Sequence, residues 1–122
     1  MSKSRTIVRR IARMLQKSGQ NVHVMTGEGP VATRGVITAL QYKNRVYLEE
    51  NHLLPGVGDV MHYTYFGGVD VRLDLCPAGT VLETENASYI LKIAECIRLG
   101  EDELAVWAIL QKHVAEETEE IG

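Results

Sequence analysis

The stretch ELAVWAIL, Glu103–Leu110, decides the fold. A half-buried strand alternates apolar and polar side chains, because successive residues point to opposite faces. From Leu104 to Leu110 no polar residue interrupts the run. The run is short for a helix and the right length for a strand. A strand that is apolar on both sides needs cover on both sides. It is therefore central in a sheet or part of the wall of a closed barrel. On this reading Trp107 is expected inside the barrel.

Working backward, the period stays near two. Tyr89–Leu99 and Thr80–Thr84 read as strands joined by the polar tip Glu85-Asn86-Ala87-Ser88. In the longer one, Tyr89, Leu91, Ile93, Ile97 and Leu99 are assigned to one face. Val69–Asp74 alternates apolar Val69, Val71 and Leu73 with charged Asp70, Arg72 and Asp74, which predicts a half-buried strand. Met61–Gly68 is a strand that ends in Gly67-Gly68. Val31–Tyr42, Arg45–Glu49 and Val22–Met25 complete the set. Thr26–Pro30 and Lys43-Asn44 are turns, and Glu50–Val60 is a loop.

Only the beginning of the chain departs from this period. Residues 5–18 place Ile7, Val8, Ile11, Met14 and Leu15 on one helical stripe, with Ser4 as the expected N-cap and Gly19 as the expected stop. The fold class is mainly β with an N-terminal α-helix, built as a small antiparallel, partly closed β-barrel. Three parts follow: a basic amphipathic helix over 1–20, the barrel over 21–114 and an acidic tail over 115–122.

Charge separates the two ends. The first 21 residues carry Lys3, Arg5, Arg9, Arg10, Arg13 and Lys17 and no acid, although the chain has a formal net charge of −3. Residues 101–122 carry Glu101, Asp102, Glu103, Glu116, Glu117, Glu119 and Glu120 against Lys112. Such polarity suits self-assembly or docking as well as it suits nucleic acid.

No apolar run is long enough for a membrane span. The N-terminal apolar residues are interleaved with arginine, unlike a secretory signal, so a cytoplasmic site of synthesis is expected. In a reducing compartment Cys76 and Cys96 are expected as free thiols.

The motifs of common chemistries are missing. TGEGP (Thr26–Pro30) lacks the lysine and helix of a phosphate-binding loop, and PGVGD (Pro55–Asp59) is only a Gly-x-Gly turn. His23, His52, His62 and His113 are scattered, with no metal-ligand spacing to another His or Cys. No serine sits in a nucleophile elbow. The expectation is a protein that is not an enzyme and needs no cofactor or metal. A small nucleic-acid-binding barrel is the alternative. Such sites interleave aromatic and basic side chains on exposed strands. HYTYF (His62–Phe66) has the aromatics but no Lys or Arg within five positions on either side, and the helix has charge without aromatics.

The order of elements resembles a known group. Val31–Tyr42, the loop with Leu53-Leu54-Pro55-Gly56, Tyr63–Gly68, Ala78-Gly79-Thr80, Tyr89–Glu95 and Val106–Leu110 follow one another as in small prophage proteins of Gram-positive bacteria. The layout is similar to head–tail connectors of tailed phages, especially the stopper or head-closure type, over about residues 31–111. The resemblance implies a structural virion protein of the neck or tail: a β-barrel with long loops that forms a ring, usually hexameric. The ring joins the portal or its adaptor to the tail and lets DNA pass. The basic helix is a departure from a minimal stopper. It reads as a docking element whose apolar stripe packs on the barrel or on a partner and whose Arg9, Arg10 and Arg13 meet an acidic surface, with DNA phosphates as the alternative. Leu53 and Leu54, at the tip of an apolar loop, are expected to touch another subunit or the next ring.

Overall fold

The structure, a computed structural model, describes residues 3–40 and 62–113. It contains helix α1 (Lys3–Ser18) and strands β1 (Gln20–Thr26), β2 (Gly29–Ala39), β3 (His62–Gly67), β4 (Val81–Glu83), β5 (Ser88–Leu99) and β6 (Asp102–Lys112). A 3-10 turn, Leu73–Leu75, lies between β3 and β4. The expected strand Arg45–Glu49, Leu53 and Leu54 with their loop, and the acidic tail all lie outside the described residues.

The six strands form a closed antiparallel barrel in the order β1-β2-β3-β6-β5-β4. Closure is complete, where the sequence predicted it as partial. The seam between β1 and β4 is short: His23 faces Glu83 and Val24 faces Leu82. No helix among the described residues is long and apolar enough to cross a membrane.

Strand β6 has the central place its sequence predicted, between β3 and β5. Leu104, Ala105, Val106, Ala108, Ile109 and Leu110 are all buried. Val106, Ala108 and Leu110 point inward and pack with Val22, Val24, Tyr65, Leu82 and Leu91. Trp107 has the opposite parity. It stands on the outer wall between Phe66 and Glu95, half-buried rather than in the core. The apolar run is long enough to predict the strand but does not say which parity faces inward.

Tyr65 occupies the barrel axis because two glycines make room for it. Gly35 and Gly67 face each other across β2 and β3. A Cβ on Gly35 would lie 2.5 Å from Tyr65 Cε2, and one on Gly67 would collide with the Tyr65 hydroxyl.

Two further expectations are corrected. Strand β5 does not keep one apolar face. Register shifts between Leu91 and Ile93 and between Ile97 and Arg98 interrupt the alternation. Tyr89 and Leu91 remain inside, while Ile93, Ile97 and Leu99 are exposed. A β-bulge exchanges inside for outside by one residue, which a sequence pattern does not reveal.

Val69–Asp74 is not a strand. β3 already has β2 on one side and β6 on the other, so the closed wall has no place for another strand next to it. The segment turns after Gly68 and drives Leu73, fully buried, into the core. Arg72 folds back on Asp74, with Nε–Oδ1 at 2.8 Å and Nη2–Oδ2 at 2.6 Å, and its Nη1 reaches Glu103 at 2.7 Å. Glu103 also meets Arg98 at 3.4 Å. The Arg72 guanidinium holds the Asp74 carboxyl below the usual carboxylate range, and the two carboxylates hold Arg72 charged. These ion pairs account for Arg72 and Asp74, and Asp70 accepts a hydrogen bond from Thr33, so each charge whose spacing imitates a strand has a partner. Cys76 and Cys96 are free thiols.

Candidate functional site

The site is built where α1 meets the barrel. A free helix of this length is marginal in water and needs its apolar stripe covered. Here the cover is partial. Leu15 and Ser4 are buried, Ile7, Val8 and Ile11 are half-buried, and Met14 is 36% exposed. The helix begins at Lys3, so Ser4 lies in its first turn rather than capping it.

The end of the helix is held by Arg34 of β2. Its Nε donates to the Leu15 carbonyl at 3.0 Å, and its Nη2 donates to the Gly19 and Gln16 carbonyls at 2.6 and 3.3 Å. Nη1 donates to Asn21 Oδ1 at 2.8 Å. The last carbonyls of a helix lack intrahelical donors and carry partial negative charge, and a guanidinium satisfies both needs. Gly19 is the stop the sequence predicted: its N–H bonds the Leu15 carbonyl at 2.9 Å. A Cβ there would sit 2.6 Å from that same oxygen, so the close approach of the chain requires glycine.

Between this anchored helix and the barrel runs a groove of about 550 Å³. Val8, Ile11, Ala12 and Leu15 form the helix side, and Ala32, Thr33, Val69 and Leu104 the barrel side. The polar residues that line it are Gln16, Asn21, Thr33, Arg34 and Asp70. Thr33 Oγ1 donates to Asp70 Oδ2 at 2.7 Å, which orients the carboxylate. Below them is the Tyr65 hydroxyl, which makes no hydrogen bond of ordinary geometry among the described residues. Burial, aided by the Asp70 charge and partly opposed by the Thr33 hydroxyl, pushes the Tyr65 phenol up to about 12.

The three candidate arginines lie on the far side of the helix. Arg9, Arg10 and Arg13 are exposed, and among the described residues they make no ion pair. Helical spacing sets Arg9 and Arg13 opposite the stripe of Ile7, Ile11 and Leu15, and none of the three arginines lines the groove. The structure therefore leaves all three arginines on the exposed face of α1, away from the groove. Leu53 and Leu54 lie outside the described residues.

A second surface is the outer wall of β5. Ile93, Ile97 and Leu99 are 37%, 40% and 44% exposed, next to half-buried Trp107. Sequence reasoning misses this surface because the bulges leave no mark on the pattern. It also misses Arg34, a single basic residue in an otherwise ordinary strand. The only trace of it is a helix that stops at a glycine with no acid in its first turn and one lysine in its last.

The arrangement offers surfaces for binding. Among the described residues no three His, Cys, Asp or Glu side chains group as metal ligands. His23 is exposed on β1 and His62 is buried on β3. The chain matches no protein-family model, and comparison with characterised proteins finds no relative.

Proposed function

We propose that this chain is a structural subunit of a tailed-phage neck or tail ring, of the head–tail connector or stopper type, and that α1 is its docking element. The observation that carries the proposal is the half-covered helix: an anchored apolar stripe beside an open groove, with exposed arginines on the helix's other face. A helix that served only to cap the barrel would bury its whole stripe. The exposed leucine and isoleucines of β5 add a second contact surface of the kind found between subunits. The order of elements shared with the connectors supports the phage assignment, and the small β-barrel is the fold that the resemblance implies. The subunit would be made in the bacterial cytoplasm and end in the virion, next to the portal, its adaptor or the tail, with DNA passing without sequence-specific contact.

Exposed arginines on a helix also fit DNA phosphates, and one experiment separates the two readings. Phosphate contacts weaken steeply with salt through counterion release. An interface with an apolar core does not. The Arg9→Glu/Arg10→Glu/Arg13→Glu chain is compared with the parent by sedimentation and by DNA gel shift across a salt series. The proposal expects the reversal to dissolve the assembly. A normal assembly with a lost, salt-sensitive DNA shift would replace the docking reading with the nucleic-acid one.

A further inference from the structure

The groove between α1 and the barrel has a chemistry of its own. We infer that it binds a small amphipathic cation, a protonated amine on an aliphatic body, with the ammonium group on Asp70. The inference goes beyond the assembly reading. Ile7, Met14 and the three arginines do not line the groove, so a bound amine leaves them free for a partner.

Size points to a small molecule. The volume of about 550 Å³ lies within the roughly 300–1,000 Å³ typical of such sites. Along the helix the groove runs from Val8 to Gln16, a length of about 12 Å at the helical rise. Val8, Ile11, Leu15, Val69 and Leu104 give it aliphatic walls.

Charge selects the sign of the ligand. Two charged residues line the groove, Arg34 and Asp70. Arg34 is engaged: its guanidinium donates to the Leu15, Gln16 and Gly19 carbonyls and to Asn21 Oδ1. Asp70 keeps its charge unmatched. Thr33 Oγ1 donates to Oδ2 at 2.7 Å, while Oδ1 accepts no hydrogen bond and meets no cation among the described residues. An aliphatic ammonium satisfies this carboxylate and covers the apolar walls together. An anion is repelled, and a neutral molecule strips water from Asp70 without replacing it. The arginines lie across the helix. Its diameter of about 10–12 Å exceeds the Debye length of about 8 Å at physiological salt, so their repulsion is screened.

The backbone leaves room at the unmatched oxygen. A Cβ on Gly68 would sit 2.9 Å from Asp70 Oδ1 and 3.8 Å from Leu15 Cδ1. Gly68 does not have a positive φ, so its conformation does not demand glycine; the bare Cα keeps the space beside Oδ1 open. Beneath Thr33 and Asp70 lies the fully buried Tyr65, whose hydroxyl has no hydrogen bond of ordinary geometry among the described residues. Polar groups thus converge at one point of the lining, as in sites that orient an otherwise apolar ligand.

Titration with n-octylammonium chloride below its aggregation concentration tests this, with n-octanol and sodium octanoate as probes of equal length. Binding is read from the methyl NMR shifts of Ile11, Leu15, Val69 and Leu104. The amine is expected to bind about tenfold tighter than the alcohol, and octanoate weakest. Asp70→Asn should lower the amine to the affinity of the alcohol. Gly68→Ala should weaken the amine by crowding Oδ1. Far-UV circular dichroism checks both folds; if Gly68→Ala unfolds, the exposed and isosteric Asp70→Asn decides alone. An amine that leaves these methyls unshifted, or binds no tighter than the alcohol, would overturn the inference. So would undiminished amine binding to Asp70→Asn, or shifts confined to Ile93, Ile97 and Leu99 of the outer wall.

Discussion

Replacing Arg34 by methionine tests whether the helix is held by its C-terminal end. Methionine keeps the apolar stem of the side chain and removes the guanidinium. Four hydrogen bonds are lost, of which the two to the Leu15 and Gly19 carbonyls, at 3.0 and 2.6 Å, are half-buried. The bonds to Gln16 and Asn21 are exposed and water replaces them at little cost. A charge-assisted bond in a half-buried setting contributes more than a neutral one, and two of them with the favourable helix-end field amount to about 2–3 kcal/mol. For a domain of this size that is a fall in melting temperature of roughly 10 °C. Arg34→Lys retains the charge without the fork and should recover less than half of the loss. Urea unfolding followed at 222 nm gives the numbers. A methionine variant within about 0.5 kcal/mol of the parent would mean that Arg34 does not hold the helix, because surface substitutions without a structural role fall in that range. Full recovery by lysine would show that charge alone matters and that the forked geometry does not.

Three other outcomes follow from the same structure. The Tyr65 phenol titrates near 12 in the folded chain and near 10 when unfolded. The unfolded state therefore releases its proton first, and stability falls by about 2–3 kcal/mol as pH rises from 10 to 12. Tyr65→Phe should flatten that limb in urea titrations, and an unchanged limb would assign the loss to other groups. Gly35→Ala places a methyl 2.5 Å from the Tyr65 ring. The overpacking should cost about 1–3 kcal/mol, measured by thermal unfolding, and a neutral result would mean that the ring moves freely. Trp107 stands half-exposed on the outer wall, so Trp107→Ala should cost about 1–2 kcal/mol rather than the 3–5 of a core aromatic. A fluorescence maximum as blue as that of a fully buried indole would contradict its placement.

The barrel is legible in the sequence because its most central strand is apolar on both faces, a pattern that suits a strand covered on both sides and little else. The helix is legible through its stripe and through Gly19, which the structure accounts for by close approach to Leu15. What the sequence conceals depends on contacts between distant residues. The inversion of β5 at its bulges is set by register against β6, so Ile93 and Ile97 read as core and lie outside. Val69–Asp74 alternates like a strand, but the wall is already closed, and its charges serve Arg72, Asp74 and Glu103. The candidate site is half visible. Arg9, Arg10 and Arg13 stand out by composition, while the groove on the other side of the helix is made by Ala32, Thr33 and Leu104, which have no chemical signature. Arg34 escapes notice for the same reason: its partners are backbone carbonyls that any sequence possesses.

If the half-covered helix joins this chain to others, the chain cannot stay at its own mass in solution. The chain weighs 13.6 kDa. Mass measurement by sedimentation over a range of concentrations should find a single closed oligomer of fixed stoichiometry in the parent, and monomer after reversal of Arg9, Arg10 and Arg13 to glutamate. A parent that remains at the monomer mass throughout, or a reversed chain that keeps the parent's oligomer, would contradict the docking role of α1.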